Sequence, residues 1–327
     1  MAHMFPQHDE IQHGPVHDTD GVDRRGFLKC MAWAGTGMAW MATSGVLKSA
    51  PLSALAGQSR ARLAAGDFVF AQISDSHIGF SKDANKDVVS TLQTALGRIQ
   101  ALPVAPDFLI HTGDLTHLSK PEEFDTLQQV LIGAKVGQVF YVPGEHDMLT
   151  DDGRQYLDRY GKGTQGQGWF SFDHKGVHFI GLVNVVNLKA GGLGNLGDAQ
   201  LEWLEQDLKR RSSSTPIVVF AHIPLWSVYP EWGWGTDDGA RALGYLKRFG
   251  SVTVLNGHIH QTMQKIEGHV TFHTATSTAF PQPEPGSAPS PGPMTVPADR
   301  LPRLLGLTDV TFVKRSHSLA IVDHDLT

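Results

Sequence analysis

The sequence predicts an α/β fold that contains both parallel and antiparallel strands. Between residues 68 and 142, short apolar runs alternate with segments of helical periodicity, which favours parallel pairing of the strands. Further along the chain, apolar runs separated by short turns indicate antiparallel hairpins. Apolar residues make up 41% of the 327 residues, an ordinary fraction for a protein with a substantial core.

Strands are predicted where a short apolar run is bounded by turn residues. These runs cover 68–74, 107–111, 138–142, 168–174, 177–183, 216–221, 251–255, 270–275, 309–313 and 318–323. Helices are predicted where apolar residues recur at helical spacing. These segments cover 87–99 and 238–249, with one further helix that begins at Pro121 and one that Asp198 caps. Residues 281–293 are rich in proline, which lacks the donor that a central strand needs, so we expect an exposed loop or flap there.

The first 56 residues are predicted to form a disordered N-terminus and an export signal. Residues 1–22 are polar and show no apolar periodicity, which is typical of disorder. After them come paired arginines, a Phe-Leu-Lys run, an uncharged stretch and a small-x-small cleavage site, at 24–25, 27–29, 30–47 and 54–56. Together these features resemble a twin-arginine export signal.

Such a signal implies a periplasmic or secreted protein, with the twin-arginine export machinery as a partner. Cleavage after Ala56 would leave 57–327 as one domain, including the proline-rich loop and the C-terminal strands, without a stable membrane anchor. An uncleaved anchor is the alternative, because the uncharged stretch of 18 residues approaches the roughly 20 that span a bilayer. The paired arginines and the small-x-small site favour cleavage.

Charge and cysteine content narrow the range of functions. A net charge of −6 without a long basic run disfavours a nucleic-acid groove. The single cysteine, Cys30, excludes disulfide frameworks and cysteine-based zinc sites. Any metal must therefore be bound by nitrogen and oxygen ligands, and the chain contains 17 histidines that could supply the nitrogens.

Five short motifs of Asp, Glu, His and Gly follow predicted strands. They are Asp75-x-His77, Gly113-Asp114, Gly144-Glu145-His146-Asp147, Ala221-His222 and Gly257-His258-Ile259-His260. Ligands of open α/β sheets bind beyond the carboxyl ends of the strands, so we expect these side chains to meet. Each motif alone is more often an ordinary turn, but a shared metal site explains the whole set.

In this order the motifs resemble the signature of calcineurin-like metallophosphoesterases, which is D-x-H, G-D, G-N-H-D, H and G-H-x-H. The resemblance covers residues 75–260. It implies a four-layer sandwich of two mixed β-sheets flanked by helices, with two metal ions between the sheet edges. It also implies a metal-dependent hydrolase that acts on small-molecule phosphate esters.

The resemblance assigns a role to each residue of the motifs. The implied ligands are Asp75, His77 and His260 for one metal ion, Asp114 as a bridge, and Glu145, His222 and His258 for the other ion, while the implied catalytic pair is His146, facing the leaving group, and Asp147, orienting it. These ligand types suit iron, zinc or manganese, as divalent or trivalent ions. The expected nucleophile is a hydroxide between the metals, because metal binding lowers the pKa of water to about 7. His146 would protonate the departing alkoxide or stabilise its charge.

Position 145 departs from the family pattern, because Glu stands where the family has Asn. Glu keeps an oxygen ligand but adds a negative charge and a methylene. The charge would repel a dianionic monoester more than a singly charged diester, so phosphodiesters would be somewhat preferred. It is equally open that Glu replaces Asn as a ligand without changing the chemistry. In the alternative function, Glu145 blocks the phosphate position and the protein binds metal without hydrolase activity.

Three further features allow two interpretations each. His117 lies three residues after Asp114, where purple acid phosphatases have a metal-binding Tyr, so it is either an extra ligand or a residue that supports the ligands. His111 either orients the site or only packs. The aromatic segment 226–234 either stacks a nucleoside or packs against the proline-rich flap.

Overall fold

The structure is a computed structural model that describes residues 38–43, 46–51 and 63–327. The described residues form thirteen strands: β1 (Met38–Thr43), β2 (Val46–Pro51), β3 (Phe68–Ile73), β4 (Leu109–His111), β5 (Val139–Tyr141), β6 (Phe170–His174), β7 (Val177–Gly181), β8 (Ile217–Phe220), β9 (Val252–Asn256), β10 (Met263–Glu267), β11 (Val270–Thr274), β12 (Gly306–Val313) and β13 (Ser318–Asp325). They also form five α-helices: α1 (Val88–Gln100), α2 (Pro121–Gly133), α3 (Arg154–Tyr160), α4 (Asp198–Lys209) and α5 (Gly239–Leu246).

The strands form two mixed sheets. The first has the order β2-β1-β13-β12-β3-β4-β5, and the second has the order β10-β11-β9-β8-β7-β6. Strands β3, β4 and β5 are parallel to one another, and so are β7, β8, β9 and β11. The hairpins β6–β7, β10–β11 and β12–β13 are antiparallel, and so are the pairs β1–β2, β1–β13 and β3–β12. Both parallel and antiparallel pairing therefore occur, as predicted.

An aromatic core joins the two sheets face to face. Alternate residues of β3, Phe68 and Phe70, point into this core, and Phe179 of β7 and Phe220 of β8 meet them from the second sheet. The rings of Phe70 and Phe179 contact edge to face at 5.4 Å between centroids. Such buried aromatic pairs fix the distance between the sheets and therefore between the strand ends that carry the motifs.

The outer face of each sheet is covered by helices. Ala71 and Ile73, which point away from the aromatic core, pack with residues of α1 and α2 such as Leu92 and Leu127. The second sheet packs against α4 and α5 in the same way. The layer order is helices, sheet, sheet, helices, so the predicted sandwich of two mixed sheets flanked by helices is confirmed.

Some local predictions were wrong. Strand β10 and helix α3 were not predicted, because most of β10 is exposed and α3 is a seven-residue helix with one buried residue, Tyr156. Asp198 is the first residue of α4 rather than its cap. The carboxylate of Asp238 instead accepts hydrogen bonds from the N–H groups of Leu196 and Gly197, both at 2.9 Å, just before α4 begins.

Most of the predicted export signal lies outside the described residues, including the disorder over 1–22, the paired arginines and the site at 54–56. Within the predicted signal, the backbone of β1 and β2 is described, and β1 pairs antiparallel with β13. In the described parts of the chain, no helix has the length and apolar character needed to cross a membrane.

Candidate metal centre

Three of the five motifs, those of Asp75, Asp114 and His258, contain residues with a strained backbone. Among the described residues other than glycine, ten have a positive φ, and half of these are predicted ligands: Asp75 at 54°, His77 at 40°, Asp114 at 50°, His258 at 71° and His260 at 52°. A left-handed backbone at a non-glycine residue costs about 1–3 kcal/mol and persists only where surrounding contacts enforce it. Strain concentrated on one group of residues indicates a functional site.

Two glycines let these loops approach closely. A Cβ on Gly144 would collide with the Asp114 carboxylate, and a Cβ on Gly257 would collide with the Ser74 hydroxyl and the Asp75 carboxylate. The glycines of the motifs are therefore required for the loops to meet, because any side chain would separate them.

One cluster of donor atoms consists of Asp75, His77 and His260. His260 Nε2 lies 3.2 Å from Asp75 Oδ1, and the two Nε2 atoms of His77 and His260 lie 3.3 Å apart. All three side chains are at least 98% buried. Their ligand atoms lie close enough together to hold one metal ion.

A second cluster consists of Glu145, His222 and His258. Glu145 Oε2 lies 3.0 Å from His222 Nε2, and Glu145 Oε1 lies 3.0 Å from His258 Nδ1. These atoms are also close enough together to hold one ion. The Glu at position 145 thus places both carboxylate oxygens among the histidine nitrogens of this cluster.

Asp114 lies between the two clusters. Its Oδ2 is 3.4 Å from His77 Nε2 and 3.5 Å from His222 Nε2. Its Oδ1 accepts a hydrogen bond from the His146 backbone N–H at 2.9 Å, which fixes the carboxylate. The structure therefore brings together all seven predicted ligands, with Asp114 in the position that a bridge requires.

The second ring nitrogen of each histidine determines what the first can do. His222 Nδ1 lies 2.7 Å from the Thr112 carbonyl, and His260 Nδ1 lies 2.5 Å from the Phe280 carbonyl. A carbonyl only accepts, so both Nδ1 atoms carry the hydrogen, and both Nε2 atoms are acceptors in the neutral rings. Holding a ligand histidine through its other nitrogen is usual in metal sites.

This arrangement fits bound cations. The Nε2 lone pairs of the neutral rings face carboxylate oxygens and one another, and acceptors do not stabilise one another without a proton or metal between them. With a neutral His222 ring, Glu145 Oε2 has no hydrogen-bond donor among the described residues, although it lies 3.0 Å from His222 Nε2. His258 Nε2 also lacks a partner there, and both atoms are buried. Buried polar atoms of this kind require a partner, and a metal pair would supply one for Glu145.

The pKa values of Asp75, Glu145 and His222 are shifted because carboxylates and histidines lie close together in this site. Burial favours the protonated form of Asp75, but His260 and His222 lower its pKa to about 2. Burial likewise opposes ionisation of Glu145, but His258 and His222 hold its pKa well below the usual value. Burial lowers the pKa of His222, but Asp114 and Glu145 raise it well above the usual value. The buried carboxylates thus attract positive charge into the site.

The predicted contact between His146 and Asp147 is wrong. His146 Nδ1 instead donates to the backbone carbonyl of His117 at 2.6 Å, which leaves Nε2 as the nitrogen available to the cavity that His146 lines. The Asp147 carboxylate accepts from the N–H groups of Gly144, Leu115 and Thr116 at 2.9, 3.1 and 2.9 Å. Asp147 is fully occupied in holding the Asp114 loop against the His146 loop, so it has no free oxygen for the His146 ring.

His117 contacts two site residues. Its Nδ1 lies 3.4 Å from His77 Nδ1, and its ring stacks on the His146 ring at 4.9 Å and 16°. His77 Nε2 faces His260, so the His117 contact occupies the other nitrogen of His77, as a carbonyl does for His222 and His260. His117 therefore lies where it can support the ligand His77, and it also forms, with His77 and His146, a group close enough together to hold a metal ion, so both interpretations of His117 stay open.

His111 supports the site from below. It is fully buried, its Nε2 lies 2.9 Å from the Ser76 hydroxyl, and Ser76 also donates to the Leu115 carbonyl at 2.9 Å. Burial lowers the pKa of His111 to about 3, so the ring is neutral. His111 thus both packs in the core and helps to orient the site, because its partner Ser76 lies between Asp75 and His77 in the chain.

A cavity of about 350 Å³ opens above the two clusters. Its floor includes Asp114, Glu145, His146 and His258. Its walls include residues that the motifs do not reveal, namely Phe80, Lys82, Leu188, Gly192, Trp232, Trp234, Phe280, Gln282 and 291–293. Part of the aromatic segment therefore lines the cavity, as does part of the proline-rich flap.

The aromatic segment also packs against the flap. A Cβ on Gly286 would lie 3.3 Å from the Tyr229 hydroxyl, so the flap lies directly on this ring. Trp232 of the same segment faces the cavity. Packing of the segment 226–234 against the flap is thus confirmed at Tyr229, and stacking of a nucleoside stays a prediction for Trp232, which lines the cavity.

Residues 68–262 match the family described as calcineurin-like phosphoesterase, and this range covers more than half of the chain. The chain therefore belongs to the calcineurin-like phosphoesterase family. The match includes every strand-end motif and ends just before the flap, so the flap and the C-terminal strands lie outside it.

Two curated relatives are phosphodiesterases. A 3',5'-cyclic-nucleotide phosphodiesterase of Nostoc sp. is 27% identical over 216 residues, which cover 64% of this chain and 78% of the relative. The glycerophosphodiester phosphodiesterase GpdQ of Enterobacter lignolyticus is 26% identical over 227 residues, which cover 66% and 79%. A solved dimetal phosphatase from Danio rerio shares the fold with a TM-score of 0.58 at 13% identity, over 80% of this chain and 96% of that one.

Proposed function

We propose that the protein hydrolyses small phosphodiesters at a dinuclear metal centre. The observation that carries the proposal is the convergence of seven nitrogen and oxygen ligands, five of them buried and two partly buried, into two clusters that share Asp114. The two curated relatives support a diester as substrate. The cavity volume of about 350 Å³ lies near the lower end of the range for small-molecule sites, which favours a small substrate over a protein.

The residues of the chain would divide the chemistry between them. Asp75, His77 and His260 would hold one ion, and Glu145, His222 and His258 the other. Two ions, iron, zinc or manganese, supply positive charge that stabilises in-line displacement at phosphorus and activates the attacking water.

His146 would donate the proton that the leaving alkoxide needs. Its Nδ1 is committed to the His117 carbonyl, so the proton must come from Nε2. Burial lowers the pKa of His146, but Asp114 and Glu145 raise it above the usual value. A positioned general acid of this kind contributes about 10²–10⁴-fold.

Glu145 would set the preference for diesters. Its partly buried side chain lies among the histidines of the second cluster and lines the cavity floor. A negative charge there repels a doubly charged monoester more strongly than a singly charged diester.

The test begins with elemental analysis of the purified protein, followed by assays on an alkyl aryl diester and the matching monoester. We expect about two metal ions per chain and faster diester hydrolysis. His146→Ala should keep the metal but lose about 10²–10⁴-fold in turnover, most strongly with a poor leaving group. Glu145→Asn should shift the preference toward the monoester. Unchanged turnover of every ester by His146→Ala would contradict the mechanism.

The alternative is a metal-binding protein without hydrolase activity. It is favoured by the position of Glu145, whose carboxylate occupies the space between His222 and His258. In that case Glu145→Asn should create activity where the native chain has none. An active native chain whose ester preference merely changes in Glu145→Asn excludes this alternative.

We also propose export by the twin-arginine route to the periplasm or beyond, on the sequence features of residues 24–56. Replacing both Arg24 and Arg25 with Lys should retain the protein in the cytoplasmic fraction. Normal export of the Arg24→Lys, Arg25→Lys variant would exclude that route.

A further inference from the structure

We propose that the cavity wall formed by Trp232, Leu188 and residues 291–293 is a subsite for a planar aromatic group of the substrate. This inference rests on the proposed function, because the aromatic group would be one ester group of the phosphodiester. The floor of the cavity carries the carboxylates Asp114 and Glu145, and this wall is apolar. A site of that composition fits a ligand with a charged phosphate at one end and an apolar group at the other.

Trp232 has a fixed orientation. Its ring contacts Tyr229 and Trp234 at 5.1 Å between centroids in each case, with interplanar angles of 82° and 83°. Trp234 is 1% exposed, so the support behind Trp232 is part of the core. A ring held in this way loses little freedom when a ligand binds against it.

The flap completes the wall. Pro291, Gly292 and Pro293 line the cavity together with Trp232. The flap is closed at its base, where the Met294 N–H donates to the Pro281 carbonyl at 2.8 Å. Gln261 Nε2 donates to the Pro283 carbonyl at 2.7 Å and ties the flap to the segment that follows His260. The rigid rings of Trp232, Pro291 and Pro293 in this wall favour a flat occupant over a flexible one.

Leu188 is exposed although it is large and apolar. Its exposed fraction is 42%, and it lines the same cavity. An exposed apolar side chain inside a concave site is typical of ligand contact. An aryl group and a nucleobase share the required chemistry, because both present a flat π-face.

The experiment compares phenylphosphonate with methylphosphonate as ligands of the metal-loaded protein, by calorimetry and by inhibition of diester hydrolysis. Both carry the same phosphonate, so the ratio of their dissociation constants isolates the aromatic group. We expect phenylphosphonate to bind more tightly to the native chain. Trp232→Ala should lose about 5- to 150-fold of that preference, the range for stacking on an aromatic side chain.

Three variants serve as checks. Trp232→Phe should retain most of the preference, because it keeps a flat ring. Leu188→Ala should reduce the preference without risk to folding, since the residue is exposed. Leu149→Ala is the matched control, because Leu149 is 57% exposed but is not among the cavity residues. This variant should keep the native preference for phenylphosphonate over methylphosphonate.

Adenosine 5'-monophosphate, used as a competitor, distinguishes a nucleobase from a smaller aryl group as the aromatic part of the substrate. Tighter binding than phenylphosphonate indicates a nucleobase, and weaker binding indicates a smaller aryl group. Equal binding of the two phosphonates to the native chain, or an unchanged ratio in Trp232→Ala and Leu188→Ala, overturns the subsite while diester hydrolysis stands. Absence of both hydrolysis and phosphonate binding instead overturns the proposed function.

Discussion

At the scale of single residues, the site depends on which ring nitrogen of each histidine has a partner. His222 and His260 donate from Nδ1 to backbone carbonyls, which no substitution of a neighbouring side chain removes. For His77 the corresponding partner is the side chain of His117. A substitution of His117 can therefore change the orientation and tautomer of the ligand His77 without replacing His77 itself.

We predict that His117→Ala weakens metal binding by about 10- to 100-fold, the usual effect of losing such a supporting contact. The physical reason is that His77 loses the group that fixes its ring and tautomer. Metal affinity can be measured by competition with a chelator, independently of activity.

His117→Asn is the informative control, because the Asn side-chain oxygen can accept a hydrogen bond from His77 Nδ1 and should restore much of the affinity. His174→Ala, at a surface ion pair with Asp107, should leave metal binding unchanged. Equal metal affinity in the native chain and His117→Ala would show that the 3.4 Å contact has no role.

At the scale of elements, a buried histidine connects a hairpin to a helix. His178 of β7 is fully buried, with Nδ1 2.9 Å from Asp173 of β6 and Nε2 2.6 Å from Asp207 of α4. Burial would raise the pKa of Asp207, but the hydrogen bond and charge of His178 lower it below its usual value of 3.8. The hairpin and the helix are thus held together by a polar contact inside an apolar layer.

We predict that His178→Ala lowers the free energy of unfolding by about 1.5–3 kcal/mol at pH 7, the range for hydrogen bonds to charged groups. Because the pKa of Asp207 is lowered in the folded state, its contribution is present above 3.8 and is lost as the pH falls through the folded-state value. The difference between the variant and the native chain should therefore shrink below about pH 4. Urea denaturation at both pH values measures this.

Arg241→Ala is the comparison for this element, because Arg241 pairs with Asp198 on the surface, where both side chains are more than half exposed. We expect a cost below about 1 kcal/mol. A His178→Ala variant with no larger cost than Arg241→Ala would exclude the structural role of the buried pair.

At the scale of the whole molecule, the aromatic core between the sheets sets the distance between the loops of the metal centre. Asp75 follows a strand of the first sheet, and His222 follows a strand of the second. Phe179 contacts Phe68, Phe70 and Phe108 across the interface and is fully buried. A change here acts on both sheets and on the site at once.

We predict that Phe179→Ala lowers the free energy of unfolding by about 3–5 kcal/mol, because a large cavity would open at the centre of the core. Ile132→Ala provides the control, since Ile132 is 68% exposed and should change stability by less than about 0.5 kcal/mol. Thermal or urea denaturation measures both. A small effect of Phe179→Ala would show that the sheets do not depend on this ring.

The sequence by itself determined the order of most of the elements, the family and the seven candidate ligands. The motifs can be recognised from residue type and spacing alone. Glycines beside Asp and His at strand ends indicate a particular backbone conformation there, whatever the positions of the strands in the fold. The sequence also identified the proline-rich flap, since proline excludes helix and central strand. Strand β10 escaped prediction because an exposed edge strand has no apolar run to reveal it.

Only the tertiary structure decided which atoms meet. The hydrogen-bond partner of His146 Nδ1 is a backbone carbonyl rather than Asp147. Every residue has a backbone carbonyl, so the residue types in the sequence do not indicate which carbonyl accepts this hydrogen bond. The contact of His117 with His77 and the shared wall of Trp232, Leu188 and 291–293 join segments far apart in the chain. Such contacts depend on how two sheets pack and where loops cross, and local residue patterns do not encode those distances.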